Sequence, residues 1–177
     1  MPWWVRSRRR SSCSPPSNDS GGGVFGRYAW APGVTAGSGM SVARLAAIYQ
    51  EALLAHHRAP HNRRELLHAT ATASQRNPVC GDDITVAVRL ADGVVTEVAF
   101  SGRGCSVATA SASMMTDAVR GLRVEAALAL GETVERMLGG GEVEVPEVLA
   151  PLRGVAPFAG RHGCARLPWQ ALREALT

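Results

Sequence analysis

The sequence contains no lysine: all 19 basic residues among its 177 are arginine. No folding mechanism forbids every lysine, so this is a compositional bias of the coding sequence. Aromatic residues are scarce at 5%, and four cysteines are too few for a disulfide-dense secreted scaffold. No apolar run approaches the roughly 18 residues that a membrane span needs, so no membrane partner is expected. The body of the chain also lacks net charge. Residues 41–177 carry 14 arginines against 14 acids, and the formal +4 sits in residues 1–40, where five arginines face Asp19 alone. A neutral body leaves no electrostatic footprint for a phosphate backbone, and no nucleic-acid partner is expected. What is present is 46% apolar and 19% charged residues, which excludes a wholly disordered or collagen-like chain. The length suits one ordinary domain with a proper core.

Two regions differ in texture. Segment 1–40 strings together Arg8-Arg9-Arg10-Ser11-Ser12, Pro15-Pro16 and Gly21-Gly22-Gly23 with no apolar period, and reads as a disordered or dispensable extension. Its charged start is not followed by the apolar stretch of a signal peptide. Met40 is a plausible start, and Cys13 and the Trp3-Trp4 pair receive no role. From residue 41 to 177 the patterning is that of a folded domain. Val42, Leu45, Ile48, Tyr49, Ala52 and Leu53 recur at helical spacing as far as His57, and Pro60 stops the helix. Residues 69–73 alternate weakly, as an edge strand would. Ile84, Val86, Val88 and Leu90, then Asp92-Gly93, then Val94, Thr96, Val98 and Phe100 spell a β-hairpin. Helices are expected over about 106–119 and 124–138, each stopped by glycine. Residues 142–160 read as an acidic loop with room for one turn of helix, followed by a short amphipathic helix carrying Leu167, Trp169, Leu172 and Leu176. Strands bracketed by helices without βαβ alternation predict an α+β fold, a small antiparallel sheet of about three strands packed against helices. The cysteines add the expectation of a metal site at loop and helix ends.

Three cysteines lie in that domain, each beside a glycine and none at an apolar-periodic position: Cys80, Cys105 and Cys164. A lone free cysteine is usually a small buried hydrophobe. Here Cys105 and Cys164 are expected at helix N-termini, where amides and the helix dipole favour a thiolate. Three thiolates converging from loops repel one another without a cation, and zinc wants a fourth donor. Asp82 and His162 both qualify. Gly81 can take the turn that brings Cys80 and Asp82 to one ion, although an aspartate before a strand also serves as a cap. His56, His57, His61 and His68 are expected to be solvated.

These residues resemble a known family. Asn77-Pro78-Val79-Cys80-Gly81-Asp82 is similar to the first cysteine motif of the IscU/NifU-N-like iron–sulfur assembly proteins. Gly102-Arg103-Gly104-Cys105-Ser106, followed by Ala110-Ser111-Ala112-Ser113-Met114-Met115-Thr116, is similar to the second. Arg161-His162-Gly163-Cys164 through Trp169 is similar to the third in its SufU form, since IscU-type members carry His where Gly163 stands. Ile48-Tyr49-Gln50-Glu51 and His57 through Arg63 match the family's first helix, and the resemblance spans about 45–176. The longer stretch from Arg123 to Gly160 also resembles SufU. The resemblance implies a cytoplasmic zinc-dependent sulfurtransferase. It would accept a persulfide from a cysteine desulfurase of the Suf system and deliver the sulfur to the Suf cluster-assembly scaffold. By residue match it implies zinc on Cys80, Asp82, Cys105 and Cys164, with Cys80 as the catalytic sulfur acceptor. The alternatives are a scaffold holding iron or an iron–sulfur cluster on the same residues, and a closed structural zinc module.

Overall fold

A computed structural model describes residues 42–177. The segment 1–40, with Cys13, the tryptophan pair and Met40, lies outside the described residues. Helix α1 spans Val42–Arg58, followed by strands β1 (Ala71–Arg76), β2 (Asp83–Ala91) and β3 (Val94–Arg103). Helices α2 (Ser106–Val119) and α3 (Val124–Leu138), a 3-10 segment (Glu147–Val155) and α4 (Ala159–Leu176) complete the order. The fold is α+β, as expected.

The three strands form one antiparallel sheet in the order β1-β2-β3. The β2–β3 hairpin closes on Asp92 and Gly93, both at positive φ (52° and 72°), the pairing of a two-residue turn whose twist matches the strands. Alternation holds along β2, but in β3 an extra residue puts Val95 on the buried face and Thr96 outside, which corrects the expected face of Val94, Thr96, Val98 and Phe100. Ile84, Val86 and Val88 of β2, with Val95, Val98 and Phe100 of β3, are buried, and α2 and α4 pack on the sheet above them. A register shift at Arg89/Leu90 marks a bulge near the turn.

Helix α2 is the centre of the molecule. Its small residues let α1, α4, β3 and the 3-10 segment approach closely, and every residue from Ala108 to Thr116 is buried. Its buried hydroxyls are satisfied. Ser111 Oγ donates to the Ala165 carbonyl at 2.7 Å and accepts from Trp169 Nε1 at 3.3 Å. The single helical turn expected within residues 142–160 is longer, a 3-10 segment over 147–155 in which Leu149, Leu152 and Val155 recur every three residues and all are buried. On α1, Ile48 is 48% exposed.

The sheet register decides where the chemistry sits. Arg76 pairs with Asp83, and Asp83 with Arg103, so the β1–β2 loop and the chain leaving β3 meet at one end of the sheet. The first carries Cys80 and Asp82, and the second carries Cys105.

Candidate metal centre

The loop 77–82 is a tight, self-bonded turn. Asn77 N–H donates to the Asp82 carbonyl at 2.8 Å, Gly81 N–H to the Asn77 carbonyl at 2.9 Å, and Val79 N–H to Asn77 Oδ1 at 3.0 Å. Gly81 has φ +75° with open space around it, so its requirement is conformational, as expected. This turn sends Cys80 and Asp82 to the same side. Cys105 is the N-cap of α2, as expected, and its N–H donates to Asp82 Oδ1 at 3.0 Å.

Cys164 differs from expectation. It is buried in the second turn of α4, a helix that starts at Ala159 with Phe158 as N-cap, and so it does not stand at a helix mouth. Gly160, Gly163 and Pro168 argue locally for a later start, but burial of Ala165, Leu167, Trp169 and Leu172 overrides them. Gly163 is kept for space: a Cβ there would stand 3.1 Å from Asn77 Nδ2. Pro168 has no N–H to give the Cys164 carbonyl four residues earlier, which loosens the helix beside the thiol.

Cys80 Sγ and Cys164 Sγ are 3.7 Å apart. Ligand atoms of Cys80, Asp82 and Cys164 all lie within 4.8 Å of one another. Cys105 stands beside this trio, with its thiol interacting with both Asp82 and Cys164. Thus three of the four expected ligands converge, and the fourth borders them. Burial alone would raise the Asp82 carboxyl, but the neighbouring Cys80 and Cys105 thiols, the Cys105 N–H on Oδ1 and the Cys164 thiol hold it below the usual range. Burial, then Cys105 and Cys80, push the Cys164 thiol up to about 12. The expected thiolate stabilisation by the α4 dipole therefore does not operate at Cys164, because the helix-end field fades within the first turn. Asp82 Oδ2 is buried without a hydrogen-bond partner. A buried carboxylate oxygen left open and aimed among thiols is what a cation would satisfy, and the S/O donor set fits zinc.

The NifU-like N-terminal domain family matches residues 48–175, spanning all three cysteine motifs. The chain belongs to that family. Among its relatives, the iron–sulfur cluster assembly scaffold protein IscU of Streptococcus pyogenes serotype M1 is 37% identical over 140 residues, covering 77% of this chain and 87% of the relative. The zinc-dependent sulfurtransferase SufU of Bacillus subtilis (strain 168) is 34% identical over 138 residues, covering 76% and 92%. A crystal structure from Fervidobacterium islandicum AW-1, described as a candidate cluster-assembly scaffold for the SUF system, superposes with a TM-score of 0.67. It shares 27% identity and covers 74% of this chain and 98% of its own.

Within this NifU-like domain, the histidines settle into three situations. His162 is turned away from the cysteines, and its Nε2–H donates to the Ala156 carbonyl at 2.8 Å, tying the start of α4 to the end of the 3-10 segment. It is not in the trio. His57 and His68 are exposed, as expected. His56 and His61 are not simply solvated. His56 Nδ1 faces Ser113 Oγ at 2.8 Å, His61 Nδ1 bonds Asp117 Oδ2 at 2.6 Å, and the two rings are 4.8 Å apart at 56°. The sequence holds a faint signal for this, since Asp117 follows Ser113 by four residues and both lie on one face of α2. Among the described residues, no helix is long and apolar enough to cross a membrane.

Proposed function

We propose that this NifU-like domain is a zinc-dependent sulfur carrier for iron–sulfur cluster assembly in the cytoplasm, with residues 41–177 as the working unit and segment 1–40 dispensable. In this reading Cys80, Asp82, Cys105 and Cys164 hold the ion, and Cys80 takes up and releases sulfur. The observation that carries it is the asymmetry of the trio: Cys80 is exposed on a turn, whereas Cys164 and Asp82 are 2% and 7% exposed. A carrier has to present sulfur to two partners in turn, and an exposed thiol can do so without unfolding an element. Zinc bound there would supply positive charge that keeps the clustered thiols deprotonated.

The transfer balances on the chain's own groups. The Cys80 thiolate attacks the outer sulfur of a cysteine persulfide on the desulfurase, the S–S bond of that persulfide breaks, and the desulfurase thiolate leaves. Cys80 then carries the persulfide, and an acceptor thiolate on the Suf scaffold removes its outer sulfur by the same displacement. Asn77 supports Cys164 from the other side, with Nδ2 4.0 Å from its sulfur. Gly163 packs beside that amide, and a Cβ at 163 would stand 3.1 Å from Asn77 Nδ2, so that side chain would have to give by a few tenths of an ångström. This packing favours the SufU-like reading, and the zinc-dependent relative supports it further.

A second reading, a scaffold on which a cluster is assembled, is favoured by the IscU relatives and by the capacity of thiolates and a carboxylate to ligate iron. The two separate on metal content. Protein purified without oxygen and without added metal is expected to be colourless, with tightly held zinc. Brown protein with iron and labile sulfide would overturn the carrier reading.

A further inference from the structure

A second set of ligating side chains lies at the far end of α2. His56 comes from the last turn of α1, His61 from the loop after it, and Asp117 from the last turn of α2. One ring nitrogen from each histidine and one carboxylate oxygen lie within 4.8 Å of one another. Cys105 and Asp117 are twelve residues apart on α2, about 18 Å along the helix axis, so the two clusters share no donor.

The groups around this cluster orient it. Ser113 Oγ is buried, accepts the His61 backbone N–H at 2.8 Å and faces His56 Nδ1 at 2.8 Å. That fixes the His56 ring and leaves Nε2 as its free nitrogen, the usual arrangement of a ligating imidazole. Asn62 Nδ2 holds Asp117 Oδ1 at 3.2 Å and also reaches Thr116 Oγ1 at 3.0 Å, leaving Oδ2 turned to His61. The loop itself is pinned to β3. The Phe100 N–H donates to the Asn62 carbonyl at 3.1 Å, and the Arg64 N–H to the Phe100 carbonyl at 3.0 Å.

We propose that His56, His61 and Asp117 form a second metal site, one that takes a divalent transition ion of the zinc, cobalt or nickel class. Two imidazoles and a carboxylate suit these ions and discriminate against calcium and magnesium, which prefer all-oxygen sites. Side-chain exposures of 58% at His61 and 28% at Asp117 give an entry path. Three protein ligands leave further positions to water, whereas the cysteine site offers four protein donors. An entering ion replaces the His61–Asp117 hydrogen bond and locks α1, its loop and α2 together.

The test uses the full chain without an affinity tag, its cysteine site first filled with zinc, titrated with cobalt(II) near neutral pH. One further equivalent is expected, with weak visible absorption and none of the intense near-ultraviolet bands of cobalt–thiolate bonding. His61→Ala and Asp117→Asn should each weaken that equivalent at least tenfold, while Cys13→Ser leaves it unchanged. In the unaltered chain, the paramagnetic ion should broaden the imidazole resonances of His56 and His61 before those of His57, His68 and His162, a readout that needs no variant to fold. No equivalent beyond the cysteine site, thiolate bands with the second ion, affinity in both variants unchanged from that of the unaltered chain, or broadening centred on other histidines would overturn the site.

Discussion

Cys80 and Cys164 are 3.7 Å apart and differ in everything else. Cys80 is exposed on a turn, and Cys164 is buried in a helix with its thiol pushed up to about 12 by burial and by Cys105 and Cys80. In the metal-free chain the two should therefore react on different scales. Alkylation with iodoacetamide at pH 8 in excess chelator, followed by peptide mass spectrometry, should modify Cys80 first and Cys164 last. The reverse order would mean that the loop and helix exchange roles without metal. The same shift sets a pH window. A thiol whose folded value lies above its ordinary 9.0 stabilises the metal-free fold below that pH, and the contribution is lost as pH rises from about 9 toward 12. Melts of the chelated protein should accordingly fall on the alkaline side of pH 9.

At the scale of elements, α2 and α4 aim the site, and a hydroxyl joins them. Ser111 satisfies both the Ala165 carbonyl, one residue past Cys164, and the Trp169 indole. Ser111→Ala strands both partners in the core and should cost about 1–3 kcal/mol in denaturant melts of zinc-loaded protein. A loss near zero would mean that water replaces the hydroxyl. The hairpin, α2 and α3 were legible in the sequence because local rules agree there: alternation, an Asp-Gly turn, and glycine stops. Cys80 and Asp82 were legible as neighbours because one glycine separates them and sits at positive φ. What escaped was decided by tertiary contact. Gly163 and Pro168 read locally as helix breakers, yet burial carries α4 through both and moves Cys164 from a helix mouth to a second turn. The His56–His61–Asp117 cluster joins three elements, and a solvated reading of those histidines cannot foresee Ser113 beneath them. The 3-10 segment was readable in principle from Leu149, Leu152 and Val155, but its acidic flanks mask a period of three.

For the molecule as a whole, three separate parts of the chain meet at one end of the sheet: the β1–β2 loop, the α2 cap and α4. A thiolate zinc site can contribute on the order of 10 kcal/mol to folding, comparable to the stability of an entire domain. The sheet, α2, α3, the 3-10 segment and α4 share one buried apolar core, so chelation should loosen the metal end without unfolding the rest. Loss of even a few kcal/mol corresponds to a drop in melting temperature of about 10 °C or more. An unchanged melt after verified metal removal would show that the cysteines do not support the fold.

The most direct measurement of the central claim is sulfur itself. Zinc-loaded protein incubated with a Suf-type cysteine desulfurase and free cysteine, then digested and weighed by mass spectrometry, should carry one added sulfur on the peptide containing Cys80. Cys80→Ser should carry none. Added sulfur on the Cys105 or Cys164 peptide with Cys80 unmodified, or no transfer at all, would contradict the account.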